Sequence, residues 1–224
     1  MRIAIIIPVL NEAEQIVACL TALQDYRQQG HQLIIADGGS EDETLALAEP
    51  LADLLCKAPR GRARQMNTAA AKADADVLLF LHADTRLPLR ACEHICAAVE
   101  AGSAWGRFDV RLSGRHFLLR IIERMMNWRS RVSSIATGDQ AIFVARQAFD
   151  AVGGYADIPL MEDVAISRSL KRRFACAKLR QRVVTSSRRW EQGGILATVL
   201  LMWRLRLAYW LGTDPAVLAK RYYP

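Results

Sequence analysis

In the segment LFLHADTRLP (79–88) an apolar run is followed at once by His82 and Asp84. Both side chains can bind a divalent cation. A carboxylate at a strand end suits a hard cation such as Mg²⁺ or Mn²⁺, and an imidazole in direct contact would favour Mn²⁺. His-x-Asp is weak evidence by itself. The pair therefore predicts a cation site only if other polar groups of the fold converge on it.

Two adjacent carboxylates, Glu162 and Asp163, stand where LMEDVAISRSL (160–170) begins a predicted helix. Acids in the first turn of a helix commonly interact with its dipole, and that is one interpretation. The other is that one of the two is a general base, which must lie within hydrogen-bond reach of the proton it removes. The residues alone leave both interpretations open.

Polar residues also follow two earlier apolar runs. Asn11 and Glu12 come after the first run, and Asp37, Gly38 and Gly39 come after the second. The glycines permit a tight turn or the close approach of a ligand, and Asp37 can accept hydrogen bonds from a nucleotide base or ribose. The alternatives are that Asn11 caps the following helix and that the glycines form a plain turn.

A cluster of basic residues lies at a predicted helix start in KAPRGRARQMN (57–67). Lys57, Arg60, Arg62 and Arg64 surround a glycine there. Guanidinium groups and a helix N-terminus both favour phosphate oxygens, so the segment predicts a phosphate site. A solvated basic loop is the alternative.

The elements that must position these groups follow from hydrophobic periodicity. Short, continuously apolar runs predict buried strands at 3–7, 33–36 and 77–81. Amphipathic segments between and after them predict helices at about 12–28, 41–49, 61–73 and 89–101, with Ser40 and Glu43 as a capping box. This alternation predicts an α/β fold with a mostly parallel central sheet flanked by helices. Ligands on such sheets bind beyond the carboxyl ends of the strands, where the polar residues fall.

The second half is less regular and much more basic. Strands are predicted at 105–112 and 140–144, and helices at 116–131, 162–174 and 194–212. The helix at 116–131 carries an apolar arc opposite arginines, and the one at 194–212 is apolar nearly all round. Thr213, Asp214 and Pro215 predict a helix cap followed by proline at the first helical position.

Composition bounds the class of protein. A chain of 224 residues with 52% hydrophobic and 24% charged residues can bury one globular core. Residues 1–106 hold nine basic and fourteen acidic side chains, whereas residues 107–206 hold nineteen and eight. A basic half indicates an anionic partner such as phosphates or a membrane surface, with a solvated basic face as the alternative. No nucleic-acid recognition motif is present.

The cysteines and the N-terminus bear on location. Five cysteines, an odd number without C-x-x-C spacing, predict reduced residues in a cytoplasmic protein: Cys19, Cys56, Cys92, Cys96 and Cys176. The first apolar run is too short for a signal peptide, and no uncharged apolar run predicts a spanning helix. The helices at 116–131 and 194–212 could instead lie peripherally on the inner face of an anionic membrane. Covering the sheet, or pairing in a homodimer, is the alternative for both.

In order along most of the chain, the motifs resemble the family 2 glycosyltransferases of the GT-A fold. They are IIIPVLNE, IIADGGSEDET, GRARQMN, LLFLHADT, TGDQAIFVARQAFDAVGGY, MEDVAISRSL and SSRRW. GRARQMN and FLHADT are similar to those of a small bacterial subgroup. The resemblance implies a GT-A domain at 1–190 and a C-terminal helical segment at 191–224. Within the domain, about 1–104 would form the nucleotide-sugar half and 105–190 the acceptor half.

What the resemblance implies chemically is an inverting transfer of a sugar from a UDP- or GDP-type nucleotide diphosphate sugar to a hydroxyl acceptor, which a lipid could carry. Asp163 would be the general base with Glu162 beside it. Asp84 would bind Mg²⁺ or Mn²⁺, and His82 departs from the acid usual at its position. Other donor-side residues would be Pro8, Asn11, Glu12, Asp37, Gly38, Arg60, Arg64 and Asn67. Those on the acceptor side would be Gly138, Asp139, Gln140, Arg189 and Trp190.

Two other classes remain to be separated from this one. A nucleotidyltransferase shares the general architecture, but PVLNEAEQ stands where such enzymes usually carry a glycine-rich loop with Arg and Lys. A non-catalytic module that binds nucleotide or a membrane surface would explain the basic half equally well. It would not need Asp84 and Asp163 in addition to the polar strand ends.

Overall fold

The structure, a computed structural model, describes residues 1–222, in which eight strands form one sheet. The strands are β1 (Ile3–Val9), β2 (Gln32–Asp37), β3 (Leu54–Lys57), β4 (Val77–Phe80), β5 (Thr85–Arg86), β6 (Trp105–Leu112), β7 (Phe143–Ala145) and β8 (Cys176–Thr185). Their order across the sheet is β3-β2-β1-β4-β7-β6-β8-β5. β1 to β4 run parallel, β7 is antiparallel to both its neighbours, and β8 runs parallel to β6.

The predicted α/β class and the parallel arrangement of β1, β2 and β4 are confirmed. The predicted strand at 140–144 is wrong at its start, because Gly138–Gln140 forms a single 3₁₀ turn and β7 begins only at Phe143. β3, β5 and β8 were not predicted. β8 pairs with both β6 and β5, so it joins the strand that follows Asp84 to the rest of the sheet.

Helices cover both faces of the sheet. Those within the described residues are α1 (Ala13–Thr21), α2 (Gln24–Gln28), α3 (Thr44–Ala48), α4 (Arg62–Lys72), α5 (Ala91–Glu100), α6 (Phe117–Ser133), α7 (Arg146–Ala151), α8 (Glu162–Lys171), α9 (Arg188–Gln192), α10 (Ile195–Trp210) and α11 (Pro215–Tyr222). The single helix predicted at 12–28 is two helices. The Asp214 side chain caps α11 by accepting from the amide of Ala216 (2.8 Å), and Pro215 is its first residue, as predicted.

The predicted capping box is wrong, and the alternative in which Asn11 caps a helix is not observed. α3 begins at Thr44 without a side-chain cap, so Ser40 and Glu43 form no capping box. Asn11 does not cap α1 either, because that position belongs to Glu12 and Asn11 adopts a left-handed φ of 54°. Instead Ser40 Oγ accepts from the amide of Asn11 (3.0 Å), which ties the loop after β1 to the loop after β2.

Alternate residues of β1 supply the two halves of the core. Ile3, Ile5 and Ile7 pack with α1 and α5 on one face, whereas Ala4 and Ile6 pack with α4 and α8 on the other. Because both faces are covered, these strands are apolar throughout. Each large aliphatic side chain buried here contributes about 1.5–3 kcal/mol, which fixes the strand ends that carry the polar loops.

The C-terminal helices pack on the start of α8 and, through Ile195 and Val199 of α10, on a small cluster that includes Leu112 of β6. α10 and α11 contact the start of α8 through Leu205 and Leu218, which pack against Leu160, Met161 and Val164. The outer faces of α6 and α10 carry large apolar side chains in contact with solvent: Phe117, Ile121, Met125, Trp128, Val132, Leu196, Leu200, Trp203, Leu207 and Trp210. No helix within residues 1–222 combines the length and apolar character needed to cross a bilayer.

Candidate functional site

The loops after β1 and β2 are held by their own side chains. Asp37 is buried and accepts from the amides of Gly39 (3.1 Å) and Ser40 (3.0 Å). Gln65 on α4 donates to the carbonyls of Val9 and Ala36, both at 2.8 Å. A Cβ at Gly38 would lie 3.0 Å from that glutamine, so a larger residue would push the Gln65 side chain away by a few tenths of an ångström. The two strand ends therefore form one rigid edge.

The end of β4 presents His82 and Asp84 at the same edge. Thr85 and Thr185 share a hydrogen bond of 2.9 Å, and both hydroxyls approach Oδ1 of Asp84 at 3.3 and 3.5 Å. Burial, with a smaller contribution from Arg62, lowers the pKa of His82 to about 3. The imidazole is thus neutral at ordinary pH.

The glycine of the TGDQ segment separates the histidine from the acid pair. The amide of Gly138 donates to Oδ2 of Asp163 (2.9 Å). A Cβ at Gly138 would lie 2.6 Å from Nε2 of His82, so only glycine fits between them. Gln140 is fully buried and bonds Ser130 Oγ (3.0 Å), which places it under the loop as support.

The acid pair opens α8 after Met161, whose φ is 69°. Glu162 is 7% exposed, and burial followed by the charge of Asp163 raises its pKa to about 7. Two adjacent carboxyl groups that differ in environment can take different protonation states near neutral pH. Here the buried Glu162 favours the neutral form, and Asp163 retains a backbone amide as partner.

Two arginines and a further acid lie beside the pair. Oδ1 of Asp139 and two guanidinium nitrogens of Arg129 are buried with no hydrogen-bond partner among residues 1–222. Burial raises the pKa of Asp139. Burial and the nearby charge of Arg206 lower the pKa of Arg129 to about 10. Buried polar groups are normally hydrogen-bonded, so this cluster fits a position that a polar ligand occupies.

These groups line one cavity of about 680 Å³. It brings together nine residues singled out from the sequence: Arg62, His82, Asp84, Gly138, Asp139, Glu162, Asp163, Arg189 and Trp190. Its remaining wall is mostly apolar and comes from α6 and α10, including Ile121, Met125, Trp203 and Leu205. One cavity thus joins the charged strand ends to the two helices with exposed apolar faces.

Other predicted site residues do not line this cavity. Pro8, Asn11, Asp37 and Gly38 lie at the ends of β1 and β2, and Arg60 is exposed. Arg64 pairs with Asp157 (2.7 Å), and Asn67 donates to the carbonyl of Tyr155 (2.8 Å) and accepts from its amide. Glu12 lies within electrostatic reach of the cavity residues Asp84 and Arg62. Burial and the charge of Asp84 raise the pKa of Glu12, whereas Arg188 and Arg62 lower it.

Several residues of the site were not identified from the sequence. They are Gln65, Arg129, Thr185, Arg188 and Arg206. Gln65 lies in the GRARQMN motif close to Arg62, so its position in that motif could have indicated a role for it. Thr185 and Arg206 sit in β8 and α10, where no motif marks them.

The residues present suit a cation that a phosphate ligand helps to hold. No cluster of three or more His, Cys, Asp or Glu side chains that could hold a metal occurs in the part of the chain described, 1–222. Asp84 faces the cavity with His82 two residues before it. Mg²⁺ is commonly bound by one or two carboxylates together with substrate phosphates and water, so a complete protein cage is not required.

Comparison with known proteins identifies the family of the chain. The family model described as Glycosyl transferase family 2 matches residues 4–155. An uncharacterized glycosyltransferase of Bacillus subtilis, YfnE, is 35% identical over 91 residues, 38% of this chain and 23% of that protein. Glycosyltransferase AglE of Haloferax volcanii is 32% identical over 91 residues, 37% of this chain and 30% of that protein. The matched stretch thus spans under a third of either relative.

Solved structures share the fold at low identity. TarS 1-349 of S. aureus in complex with UDP-GlcNAc superposes with a TM-score of 0.66 and 16% identity, over 83% of this chain and 58% of that one. The mannosyltransferase PcManGT of Pyrobaculum calidifontis, solved with GDP-Man and Mn²⁺, gives 0.63 and 21%, over 92% and 61%. The architecture is that of the GT-A glycosyltransferases.

Proposed function

Because the chain belongs to glycosyl transferase family 2, we propose that it transfers a sugar from a nucleotide diphosphate sugar to an acceptor hydroxyl with inversion. One observation carries the proposal. A single cavity is lined by Arg62, His82 and Asp84 together with the pair Glu162 and Asp163. The fold neighbours solved with UDP-GlcNAc and GDP-Man support a donor of this class.

The donor's diphosphate belongs at the end of β4. A divalent cation held there by Asp84, with His82 adjacent, would supply charge stabilisation of the leaving diphosphate. Arg62 lines the cavity, and Arg188 lies close enough to Glu12 to lower its pKa. These two guanidiniums place further positive charge where the leaving group becomes negative. Asn11 and Asp37 shape the rigid edge against which the nucleoside would bind. The acceptor would bind to the half of the domain that begins at residue 105.

Asp163 is assigned as the general base. Its Oδ2 is fixed by the amide of Gly138, while the raised pKa of Glu162 leaves that neighbour about half neutral near pH 7 and largely neutral at lower pH. A base on the face opposite the leaving group removes the acceptor proton as the new bond forms, which inverts the anomeric centre. General base catalysis of this kind contributes ~10²–10⁴-fold.

The acceptor is inferred to carry an apolar part, such as a lipid. The apolar part of the cavity wall comes from α6 and α10, and it continues onto the exposed faces of the same helices. Helices with an apolar face and flanking arginines lie in the interface of anionic membranes. A cytoplasmic protein with five unpaired cysteines, placed peripherally on the inner face of the membrane, would meet such an acceptor. A homodimer through the same helices is the alternative.

A panel of UDP- and GDP-sugars, each with and without Mn²⁺, tests the reaction class. Slow donor hydrolysis with release of nucleoside diphosphate supports the transferase. Release of pyrophosphate from a nucleoside triphosphate would instead indicate a nucleotidyltransferase. Binding of nucleotide without any turnover across the panel would favour a non-catalytic module.

A further inference from the structure

A second cavity, of about 270 Å³, lies on another side of α6 from the catalytic one. It is lined by Arg111 of β6, Arg182 of β8 and four residues of α6, Arg120, Glu123, Arg124 and Asn127. Arg182 pairs in register with Asp109, and Arg111 is two residues further along β6. None of these six residues lines the catalytic cavity. Four guanidinium groups therefore meet in a pocket to which the proposed reaction assigns no role.

Three of these arginines are unpaired in the part of the chain that the structure describes. Arg111, Arg124 and Arg182 are exposed and form no hydrogen bond or ion pair with any residue in the described range 1–222. Arg120 differs, since it donates to the carbonyl of Leu112 (2.6 Å) and pairs with Glu123 (2.9 Å). The pocket thus offers several free N–H groups on one wall.

The acids nearby are already engaged. Glu123 accepts from the amide of Leu112 (2.5 Å) and from Arg120. Asp109, 2% exposed, accepts from both Arg107 and Arg131. Asn127 uses both ends of its side chain on the backbone of Val110. No acid lining the pocket is left to neutralise the three free arginines, and like charges held together repel unless an anion joins them.

We propose that this pocket binds the phosphate of an anionic phospholipid. Arginine presents a planar fork of donors that matches phosphate oxygens, and several forks around one cavity bind a phosphate more tightly than scattered surface charge does. The site is independent of sugar transfer, because it shares no residue with the catalytic cavity.

The position of the pocket on α6 identifies a lipid as the source of the phosphate. Arg120 and Arg124 lie on one flank of the exposed apolar stripe that includes Ile121 and Trp128, and Arg129 on the other flank lines the catalytic cavity. A bilayer offers apolar chains and phosphates side by side, as the helix does here. A headgroup in the pocket would seat the stripe on the membrane and turn the catalytic cavity toward it.

The test is co-sedimentation of the full chain, without sugar donor, with phosphatidylcholine vesicles containing phosphatidylglycerol and with phosphatidylcholine alone. We expect binding to the anionic vesicles only. The double variant Arg111→Gln/Arg182→Gln should bind them about 10-fold or more weakly, because each basic residue near the surface contributes to attraction. Lys72→Gln/Arg172→Gln removes the same charge from the last residue of α4 and the residue that follows α8, and this variant should lose less than about 3-fold in binding.

Three further results decide the assignment. Arg182→Lys keeps the charge and loses the fork, so it should bind more weakly than the unmodified chain if phosphate geometry matters. Equal losses in the pocket variant and the charge-matched control would overturn the pocket as the site. If inorganic phosphate binds the unmodified chain but not the double variant, while anionic vesicles fail to recruit either protein, the lipid assignment is wrong and the pocket serves a soluble phosphate.

Discussion

The amide of Gly138 donates a hydrogen bond to Oδ2 of Asp163 at 2.9 Å, and this contact joins two segments that are 25 residues apart. Because the same glycine packs against the ring of His82, one small residue sets the spacing between the proposed donor side and the proposed base. The carboxylate is therefore oriented by backbone and needs no second side chain to hold it in place.

Asp163→Asn should abolish most transfer while the donor still binds. The amide keeps the shape of the carboxylate but cannot take the acceptor proton, so the rate should fall by ~10²-fold or more. Single-turnover kinetics with a verified donor and acceptor, together with a nucleotide titration, measure both quantities. Asp150→Asn, an exposed residue of α7, is the matched control and should retain full activity. Near-normal turnover by Asp163→Asn would contradict the assignment of the base.

Gly138→Ala should disturb the site through a collision. The new methyl group would lie 2.6 Å from Nε2 of His82, so the loop or the ring must move. Overpacking of this kind typically lowers the free energy of unfolding by about 1–3 kcal/mol. Adding His82→Ala should recover part of the lost stability, which chemical denaturation of the single and double variants can measure. Purely additive losses would show that the two residues are not in contact.

Glu162→Gln should change how stability depends on pH. The pKa of Glu162 is raised from 4.5 to about 7, so its contribution is fully present below pH 4.5 and is lost as pH rises through about 7. Glutamine stays neutral, so the unfolding free energy of the variant should rise relative to that of the unmodified chain as pH increases between these values, by up to about 3 kcal/mol. Thermal unfolding across pH 4.5–8 measures the difference.

The partner charge supplies the control for this effect. In an Asp163→Asn background one of the two causes that raise the pKa of Glu162 is removed. The stability gained by Glu162→Gln as pH rises should therefore be smaller in that background. A difference between Glu162 and Gln that stays constant across the range would mean that the buried carboxyl is not perturbed.

Trp128→Ala/Trp203→Ala should weaken membrane binding without unfolding the protein. Both indoles are exposed, at 68% and 58%, so little packing is lost and Tm should change little. Affinity for anionic vesicles should fall, since indole rings favour the interface of a bilayer. Sedimentation velocity separates the homodimer alternative: a concentration-dependent dimer of the unmodified chain, lost in the variant and insensitive to lipid, would contradict the membrane interpretation.

How far the sequence predicts the fold depends on the hydrophobic pattern of each element. β1, β2 and β4 are covered on both faces and so appear as continuous apolar runs, which are easy to recognise. β8 reads CAKLRQRVVT, in which exposed Lys178, Arg180 and Arg182 alternate with half-buried residues, and its length and partners come from tertiary pairing. The S-x-x-E pattern at Ser40 failed because that hydroxyl bonds Asn11 across two loops, a partner that local sequence does not specify.

The site shows the same division. His82, Asp84, Glu162 and Asp163 stand at the ends or starts of strongly patterned elements, and the structure brings them to one cavity. Arg206 was read as part of an apolar helix, because only the packing of α10 against α8 turns it toward the acids. The pKa of His82 could not be predicted either, since it depends on burial by residues distant in the chain.

The hydrogen bond between Thr85 and Thr185 spans 100 residues of chain, and it forms one side of the surroundings of Asp84. Closing so long a loop costs entropy that only later contacts repay, so pairing of this kind is slow and comes late in folding. During synthesis the first four strands can assemble while β8 is still on the ribosome. The edge formed by β1, β2 and β4 would then exist before the wall of the proposed cation site, and that site would be complete only after residue 185 has been made.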